Sequence, residues 1–263
     1  ESVINNDDDT ISTSSTESLT ILYEDEHFIA VDKPQGLFVH RTNLDRTQRD
    51  SVVQRLKSHT GIQASPIHRL DRPTSGVLLL GRNADAVRLT NTLFADRKVH
   101  KRYIALVRGF VSDDGVIDYP LKHKTRQNTQ SAQTRWRVIA RGELPLATPP
   151  HPTSRFSLVS VYPKTGRWHQ IRRHFAHLRH PIIGDTSHGD SHQNRILRTQ
   201  VTSARLFLHA SELSFPHPYK PQSTCTITSP APPSFQALLS LFGWSDAVFK
   251  SESGSPPQRP VHS

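Results

Sequence analysis

The sequence contains a single cysteine, Cys225, among its 263 residues. One cysteine excludes an internal disulfide framework and a zinc site built from several thiolates. Chains of this kind are usual where thiols stay reduced, so we predict a cytoplasmic location.

Long hydrophobic runs are also missing. Apolar runs such as Val77–Leu80 have the length of a buried strand, far below the roughly 18 consecutive apolar residues of a membrane span. The first residues lack the apolar core of a signal peptide, and their acidic side chains argue against a transit peptide. We therefore predict no membrane partner.

Basic residues are absent from positions 1–18, which hold five acidic residues. The rest of the chain keeps all 33 basic residues against 18 acidic ones, a net charge of +15. Such an excess predicts a polyanionic partner, whose phosphates the basic side chains neutralise. A generally cationic, solvated surface would give the same composition, so charge alone leaves both interpretations open.

Two polar tails enclose the rest of the sequence. Residues 1–18 and 251–263 are rich in Ser, Thr, Asn, Asp, Gly or Pro and cannot bury enough apolar area to offset the entropy of ordering. We predict that both are disordered and that residues 19–250 form one domain.

Short apolar or alternating runs between turn-forming residues predict a mainly β middle of the chain. The runs at 20–23 and 28–31 flank an acidic turn and predict a hairpin. Further strands are predicted at Val77–Leu80, Tyr103–Val107, Arg135–Ala140, Phe156–Tyr162, Arg205–His209 and Thr224–Thr228.

Four helices are predicted from apolar residues at helical spacing. The first follows Asp50 as N-cap and ends at Gly61, and the others cover about 84–97, 169–179 and 235–242. Strands interleaved irregularly with a few helices indicate an α+β fold with a central mixed, mostly antiparallel sheet.

The most informative stretch is His68-Arg69-Leu70-Asp71-Arg72-Pro73-Thr74-Ser75-Gly76, directly before a predicted strand. Its Pro, Ser and Gly residues predict a loop. The two flanking arginines are expected to stabilise the carboxylate of Asp71 and to lower its pKa, which suits a nucleophile. An isolated Arg-x-Asp triplet is more often a surface turn with a local ion pair.

The longer motif resembles the signature of the RluA family of pseudouridine synthases. Lys101-Arg102-Tyr103-Ile104-Ala105 and Lys164-Thr165-Gly166-Arg167-Trp168-His169-Gln170-Ile171-Arg172 resemble two further motifs of that family, in the same order. The similarity extends through Lys33-Pro34, Gly184-Asp185 and Leu208-His209-Ala210. It implies a pseudouridine synthase fold of two lobes, with a catalytic cleft that carries Asp71 and with no accessory RNA-binding domain at the N-terminus.

The resemblance also implies a role for each matching residue. Asp71 is then the catalytic nucleophile, which attacks the ribose C1′ or the base, or first abstracts a sugar proton. Tyr103 would stack on the target base and assist proton removal. Arg172, brought from the third helix, would pair with Asp71 and hold it ionised.

Arginines around these motifs are the predicted RNA contacts. Arg69 would fill the space that a flipped uridine leaves. Trp168 fits a base contact and a core position equally well. The other RNA-binding candidates are His68, Arg72, Arg167 and Arg173, with Arg195, Arg198 and Arg205 as a possible phosphate-contact surface.

The implied reaction needs no cofactor and no metal, because uracil is detached, rotated and rejoined through carbon without redox change. A His-rich tract is the contrary feature. His174 and His177 have the spacing of a helical chelate, but no nearby Cys or carboxylate completes a site. A structural or RNA-facing role is the favoured interpretation of His169, His174, His177 and His180.

Variants within the motifs resemble the tRNA pseudouridine synthase C branch of the family. They are Arg72-Pro73, Arg173-His174-Phe175-Ala176-His177 and His188-Gly189-Asp190 with Asn194. The predicted substrate is a uridine in the T-stem region of tRNA, with no obligate protein partner. The alternatives are a ribosomal RNA pseudouridine synthase, a catalytically inactive RNA-binding protein on this fold, and a metal-dependent hydrolase.

Overall fold

The computed structural model describes residues 18–40, 50–148, 151–199 and 205–245. The predicted tails fall outside these ranges except for Ser18. Within them the helices are α1 (Val52–Thr60), α2 (Ala84–Ala95), α3 (Gln170–His177), α4 (Ser191–Arg198) and α5 (Pro233–Leu241). The strands are β1 (Thr20–Glu24), β2 (Phe28–Lys33), β3 (Ser65–Pro66), β4 (Ser75–Gly81), β5 (His100–Arg108), β6 (Asp114–Asp118), β7 (Leu121–Lys122), β8 (Thr129–Gln130), β9 (Gln133–Leu144), β10 (Ser154–Pro163), β11 (Leu208–Pro216) and β12 (Thr224–Thr228).

Ten of these strands form one mixed sheet. Its order is β1-β2-β4-β11-β5-β10-β9-β6, with β3 added to β4 and β12 added to β11, while β7 and β8 form a separate hairpin. The pairs are antiparallel except for β4 with β11. The predicted α+β fold with a mixed, mostly antiparallel sheet is confirmed.

The parallel pair joins two antiparallel halves of the sheet at a short seam. Only two residue pairs are in register there, His209 with Ser75 and Ala210 with Gly76. The Ser75 hydroxyl lies 2.9 Å from Nδ1 of His209, whose Nε2 lies 3.3 Å from the carbonyl of Ser229. Burial lowers the pKa of His209 to about 4, so its neutral ring bridges the seam.

Both faces of the sheet are covered by helices. Alternate residues of β4 divide between two hydrophobic clusters: Leu78 and Leu80 pack with residues of α1 and α3, whereas Val77 and Leu79 pack beside α2. Ile104 and Leu106 of β5 pack with α5. Because neither face meets water, the central strands have continuous apolar sequences instead of alternating ones.

Local sequence patterns predicted which helices and strands form more accurately than they predicted where each one begins. Helix α1 is capped by Ser51, whose hydroxyl accepts the N–H of Gln54, and not by Asp50, which instead pairs with the buried Arg55 at 2.6 Å. The predicted strand at Arg205–His209 begins later, at Leu208, since Phe207 donates its N–H to the carbonyl of Ile183.

Several elements were not predicted from the sequence. Helix α4 is capped by Asp190, whose carboxylate accepts the N–H groups of His192 and Gln193. It has few apolar residues, so helical periodicity did not indicate it. Strand β6 and the three two-residue strands are too short or too polar for a strand pattern. No helix in the described ranges is long and apolar enough to cross a membrane.

The close approach of the two strands at the seam predicts that a side chain at Gly76 destabilises the fold. Gly76 has φ +111°, and a Cβ there would lie 2.2 Å from the carbonyl oxygen of Ala210. We expect Gly76→Ala to lower the free energy of unfolding by about 3 kcal/mol or more, from overpacking added to backbone strain. Gly61→Ala is the matched control, because Gly61 has φ +73° but open space around it, and it should cost about 1 kcal/mol. Urea denaturation of both variants measures the difference, and equal losses would contradict crowding at the seam.

Candidate active site

A cavity of about 460 Å³ lies beside the seam. Its walls come from the loop before β4, from the end of α2, from β5, from the segment leading into α3 and from β11. The structure therefore brings together three motifs that are far apart in the sequence. The predicted site residues that line the cavity are His68, Arg69, Asp71, Tyr103, Arg167 and Arg172.

Asp71 is mostly buried, with 17% of its side chain exposed. One carboxylate oxygen lies 3.7 Å from Nη1 of Arg172 and 3.8 Å from Nε2 of His169. Burial raises the pKa of Asp71, even though Arg172, Arg69 and Lys33 act in the opposite direction. Arg69 acts in the predicted direction, but the predicted net lowering of the Asp71 pKa is wrong, because desolvation outweighs the nearby positive charges.

A buried lysine ties the Asp71 loop to the end of β2. The ammonium of Lys33 donates to the carbonyls of Pro34, Leu37 and Arg72 at 2.8–3.0 Å. Burial lowers its pKa to about 7. Arg72 strengthens the tie, because its backbone carbonyl accepts from Gly36 N and its Nε donates back to the Gly36 carbonyl. Residues adjacent to Asp71 are thus fixed to the sheet.

Tyr103 faces the cavity from β5. Burial, and then the charge of Asp71, raise the pKa of its phenol, so the hydroxyl keeps its proton at neutral pH. No hydrogen bond joins this hydroxyl to another described residue. A protonated phenol beside Asp71 suits stacking and proton donation better than removal of a proton by a resident phenolate.

Arg172 has a different principal partner from the one predicted. Its Nε and Nη2 donate to the two carboxylate oxygens of Asp185 at 2.8 and 2.7 Å, which is a bidentate pair. Both side chains are buried, with exposures of 3% and 0%. Asp71 receives only the looser contact from Nη1. Burial opposes ionisation of Asp185, but Arg172 and two backbone N–H groups keep the pKa of Asp185 below its usual range.

His169 and His188 form a chain of hydrogen bonds behind Arg172. Nε2 of His169 lies 3.1 Å from Nη1 of Arg172, and its Nδ1 lies 2.9 Å from Nε2 of His188. Burial and the charge of Arg172 lower the pKa of His169 to about 3, so the ring is neutral. His169 also has φ +50°, a strained conformation for a residue other than glycine.

The predicted RNA contacts differ in how free they are. Arg69 is exposed at the cavity, and its guanidinium makes no hydrogen bond to another described residue. Arg72 stacks on Phe38 at 4.8 Å, outside the cavity. Arg167 donates to the Ser131 carbonyl, and Arg173 donates to the Lys122 carbonyl.

His68 has hydrogen-bonding and packing partners within the protein. Its Nε2 accepts the backbone N–H of Leu79 at 3.0 Å, and its ring packs near Phe94. Burial lowers the pKa of His68 to about 4. A neutral ring that supports β4 has a structural role, and the RNA contact of His68 stays a prediction.

Trp168 is half-buried on the cavity wall. Its ring stacks on His169 at 4.0 Å, and the cations of Lys124 and Arg173 lie over it at 5.5 and 5.6 Å. Of the more distant candidates, Arg195 and Arg198 are exposed on α4, and Arg205 is half-buried. None of these three lines the cavity.

The remaining histidines of the His-rich tract point to different partners. The ring nitrogens of His174 contact Thr134 and the Tyr119 carbonyl, and the ring of His177 stacks on Tyr119. His180 contacts the Arg108 carbonyl. In the described part of the chain, no group of three or more His, Cys, Asp or Glu residues is arranged to hold a metal ion.

Sequence reasoning did not predict the contacts of four residues that shape this site. Asp185, His169 and Lys33 belong to quoted motifs, but nothing local indicated what they contact. Lys101 also lines the cavity, and burial lowers its pKa to about 8. Lys101 begins the quoted motif of Tyr103, and its spacing of two residues from Tyr103 along β5 was a signal, since alternate strand residues share a face.

Comparison with known proteins gives consistent results. A model of the RNA pseudouridylate synthase family matches residues 27–177. The chain is 45% identical over 240 residues to tRNA pseudouridine synthase C of Vibrio cholerae, with 88% of this chain and 98% of the relative covered. It is 44% identical over 235 residues to the protein of the same name from Haemophilus ducreyi, with 86% and 96% covered.

Solved structures show a similar fold. Human RNA Pseudouridylate Synthase Domain Containing 1 has a TM-score of 0.66 and 26% identity, with 83% of this chain and 85% of that chain covered. Human RNA Pseudouridylate Synthase Domain Containing 4 has a TM-score of 0.67 and 24% identity, with 85% and 93% covered.

The burial of Asp71 is expected to lower the stability of the folded protein at neutral pH. A carboxyl group whose pKa is higher in the folded state than in the unfolded state makes folding less favourable as pH rises past the unfolded value of about 3.9. We therefore expect Asp71→Asn to unfold at a higher urea concentration than the unmodified protein at pH 7, with the gap closing near pH 3.

The control is Asp113→Asn, since 88% of the Asp113 side chain is exposed, and it should change the free energy of unfolding by less than about 0.5 kcal/mol. A loss of stability in Asp71→Asn at pH 7 would show that its cation contacts outweigh its desolvation.

Proposed function

Because this chain belongs to the RNA pseudouridylate synthase family, we propose that it converts a uridine of tRNA to pseudouridine, with Asp71 as the nucleophile. Membership rests on the family model, which matches more than half of the chain. It confirms the resemblance that the motifs suggested, and it makes the protein an isomerase. The observation that carries the proposal for Asp71 is its place in the cavity, next to Tyr103 and the guanidinium of Arg172.

The proposed reaction exchanges one bond for another. The bond between N1 and C1′ breaks, the bond between C5 and C1′ forms, the C5 proton leaves and N1 gains a proton. No electrons pass to or from another molecule. Asp71 acts as the carboxylate, and its raised pKa keeps it basic and nucleophilic once it is ionised. Tyr103 stacks on the base that enters the cavity.

Relatives support tRNA as the substrate over ribosomal RNA. The two proteins reported above, which this chain matches over nearly their full length, are both named tRNA pseudouridine synthase C. Within tRNA we propose a uridine of the T-stem region, where extrusion must break a base pair as well as a stack. Arg69 is exposed beside Asp71 and suits the vacated position in the helix. The cytoplasmic location stays a prediction.

Pseudouridine mapping on purified RNA tests the function directly. We expect the enzyme to modify unmodified tRNA transcripts in the T-stem region and to leave ribosomal RNA fragments unmodified. Asp71→Asn should form no pseudouridine, with turnover at background, while it binds the same transcripts within about threefold, because its cationic contacts remain. Modification of ribosomal RNA alone would refute the tRNA proposal, and turnover by Asp71→Asn would refute the nucleophile.

Besides Arg69, we expect Lys101 to contact the bound RNA. Its ammonium lines the cavity without a hydrogen bond to a described residue, and it lies over the ring of Phe94 at 5.8 Å. A half-buried cation without an anionic partner suits a backbone phosphate of the bound RNA.

Salt-dependent binding checks this contact. Lys101→Gln should weaken RNA binding and reduce the slope of log affinity against log salt by about 1, the share of one phosphate contact. Affinity of the unmodified protein should also fall above pH 8, as Lys101 loses its proton, and Lys101→Gln should lack that fall. Lys98→Gln is the control, because Lys98 is exposed and pairs with Asp96 at 3.3 Å. Equal slopes in the two variants would exclude the contact.

A further inference from the structure

The guanidinium of Arg172 has more partners than a simple pair with Asp71 requires. Two of its five N–H groups donate to Asp185, and Nη1 also contacts His169. The contact between Arg172 and Asp71 is longer, with Nη1 at 3.7 Å from one carboxylate oxygen. The orientation of Arg172 is therefore decided by groups other than the nucleophile.

The hydrogen-bond partners fix the protonation of both histidines. A guanidinium only donates, so Nε2 of His169 must accept and the ring proton must lie on Nδ1. That proton points to Nε2 of His188 at 2.9 Å, which must also accept. Neither ring can gain a proton without breaking the chain of contacts that ends at Arg172.

The loop behind Arg172 is itself held in place. Oδ1 of Asp185 accepts the N–H groups of Ser187 and His188, so the carboxylate organises the turn that carries His188. The Asn194 side chain on α4 accepts from Gly184 N and donates to the Asp185 carbonyl. Helix α4 thus anchors the turn from both directions.

We propose that Asp185, together with His169 and His188, acts as a positioning clamp that points one donor of Arg172 at Asp71 and limits the strength of that pair. The proposal rests on the proposed function, because Asp71 is taken as the nucleophile. A guanidinium that bonded Asp71 in a bidentate pair would occupy both carboxylate oxygens and reduce their reactivity. A guanidinium shared with Asp185 leaves Asp71 oxygens free for the substrate.

The charge around Asp71 makes the clamp testable. Asp185 lies close enough to raise the pKa of Asp71, whereas Arg172, Arg69 and Lys33 lower it. The groups that face Asp71 from each neighbouring element are Arg172 and His169 from the α3 region, Arg69 from its own loop, Lys33 from β2, Tyr103 from β5, and Asp185 and His188 from the turn after α3.

The first test replaces Asp185 with asparagine, which has the same shape without the charge. In Asp185→Asn, Asp71 loses a nearby negative charge and Arg172 is freed to turn toward it, so both effects lower the pKa of Asp71. We expect the acid limb of the kcat/KM profile to move to lower pH. The misplaced guanidinium should reduce kcat by about 10- to 100-fold, while KM for the RNA stays within about twofold.

The second test is a matched pair at His169. His169→Gln keeps an oxygen acceptor near the position of Nε2, whereas His169→Leu has none. Both substitutions carry the same backbone strain at a positive φ. We expect the Gln variant to retain at least about a third of kcat and the Leu variant to lose about tenfold or more. Equal kcat in the two variants would overturn the role of His169. This comparison does not depend on Asp185→Asn, so it tests the clamp even if that variant does not fold.

Carboxyl ¹³C NMR separates this proposal from the proposed function. The pKa of Asp71 in the free protein can be followed without any substrate, in the unmodified chain and in Asp185→Asn. A lower Asp71 pKa in the variant supports the clamp even when no RNA tested is modified. An unchanged Asp71 pKa together with an unchanged pH profile overturns it, because a merely structural Asp185 would alter stability alone.

Discussion

One buried guanidinium lies between two carboxylates, and the geometry of the site depends on it. Arg172 forms a bidentate pair with Asp185 and a looser pair with Asp71. A buried arginine and a buried aspartate can remain charged only if their hydrogen-bonding groups are satisfied. The turn after Asp185 supplies two backbone N–H donors to its carboxylate, and His169 accepts from Nη1 of Arg172. The most strongly bonded carboxylate is therefore the supporting one, and the proposed nucleophile is the less satisfied of the two.

The seam between β4 and β11 gives this arrangement its location. Two antiparallel halves of the sheet meet there through only two residue pairs in register. Asp71 precedes β4 on one half, and Tyr103 lies on β5 of the other half. A short parallel contact leaves room beside it for a cavity, which a continuous antiparallel sheet would fill with paired backbone. Lys33 and Gly76 secure the seam at the end nearest to Asp71.

Burial sets the chemistry of the site more than local charge does. It raises the pKa values of Asp71 and Tyr103 and lowers those of Lys33 and His169. A carboxylate that is costly to ionise in the free protein gains from any ligand that supplies compensating contacts. Stability and function are thus opposed at Asp71, as they often are where an active site stores strain or desolvated charge.

From the sequence alone, the kind of fold could be predicted, as could the importance of Asp71, Tyr103 and Arg172, which the structure places in one cavity. Strand and helix periodicities predicted the main elements, and the ordered motifs around Asp71, Tyr103 and Arg172 indicated the family, because both are properties of neighbouring residues. The fold, in contrast, sets the pairing of Arg172 principally with Asp185, the capping of α1 by Ser51 instead of Asp50, and the raised pKa of Asp71. Each of these depends on burial or on contacts that form only when the chain has folded, and a pattern along the chain contains no information about the dielectric environment or the competing partners that a side chain meets there.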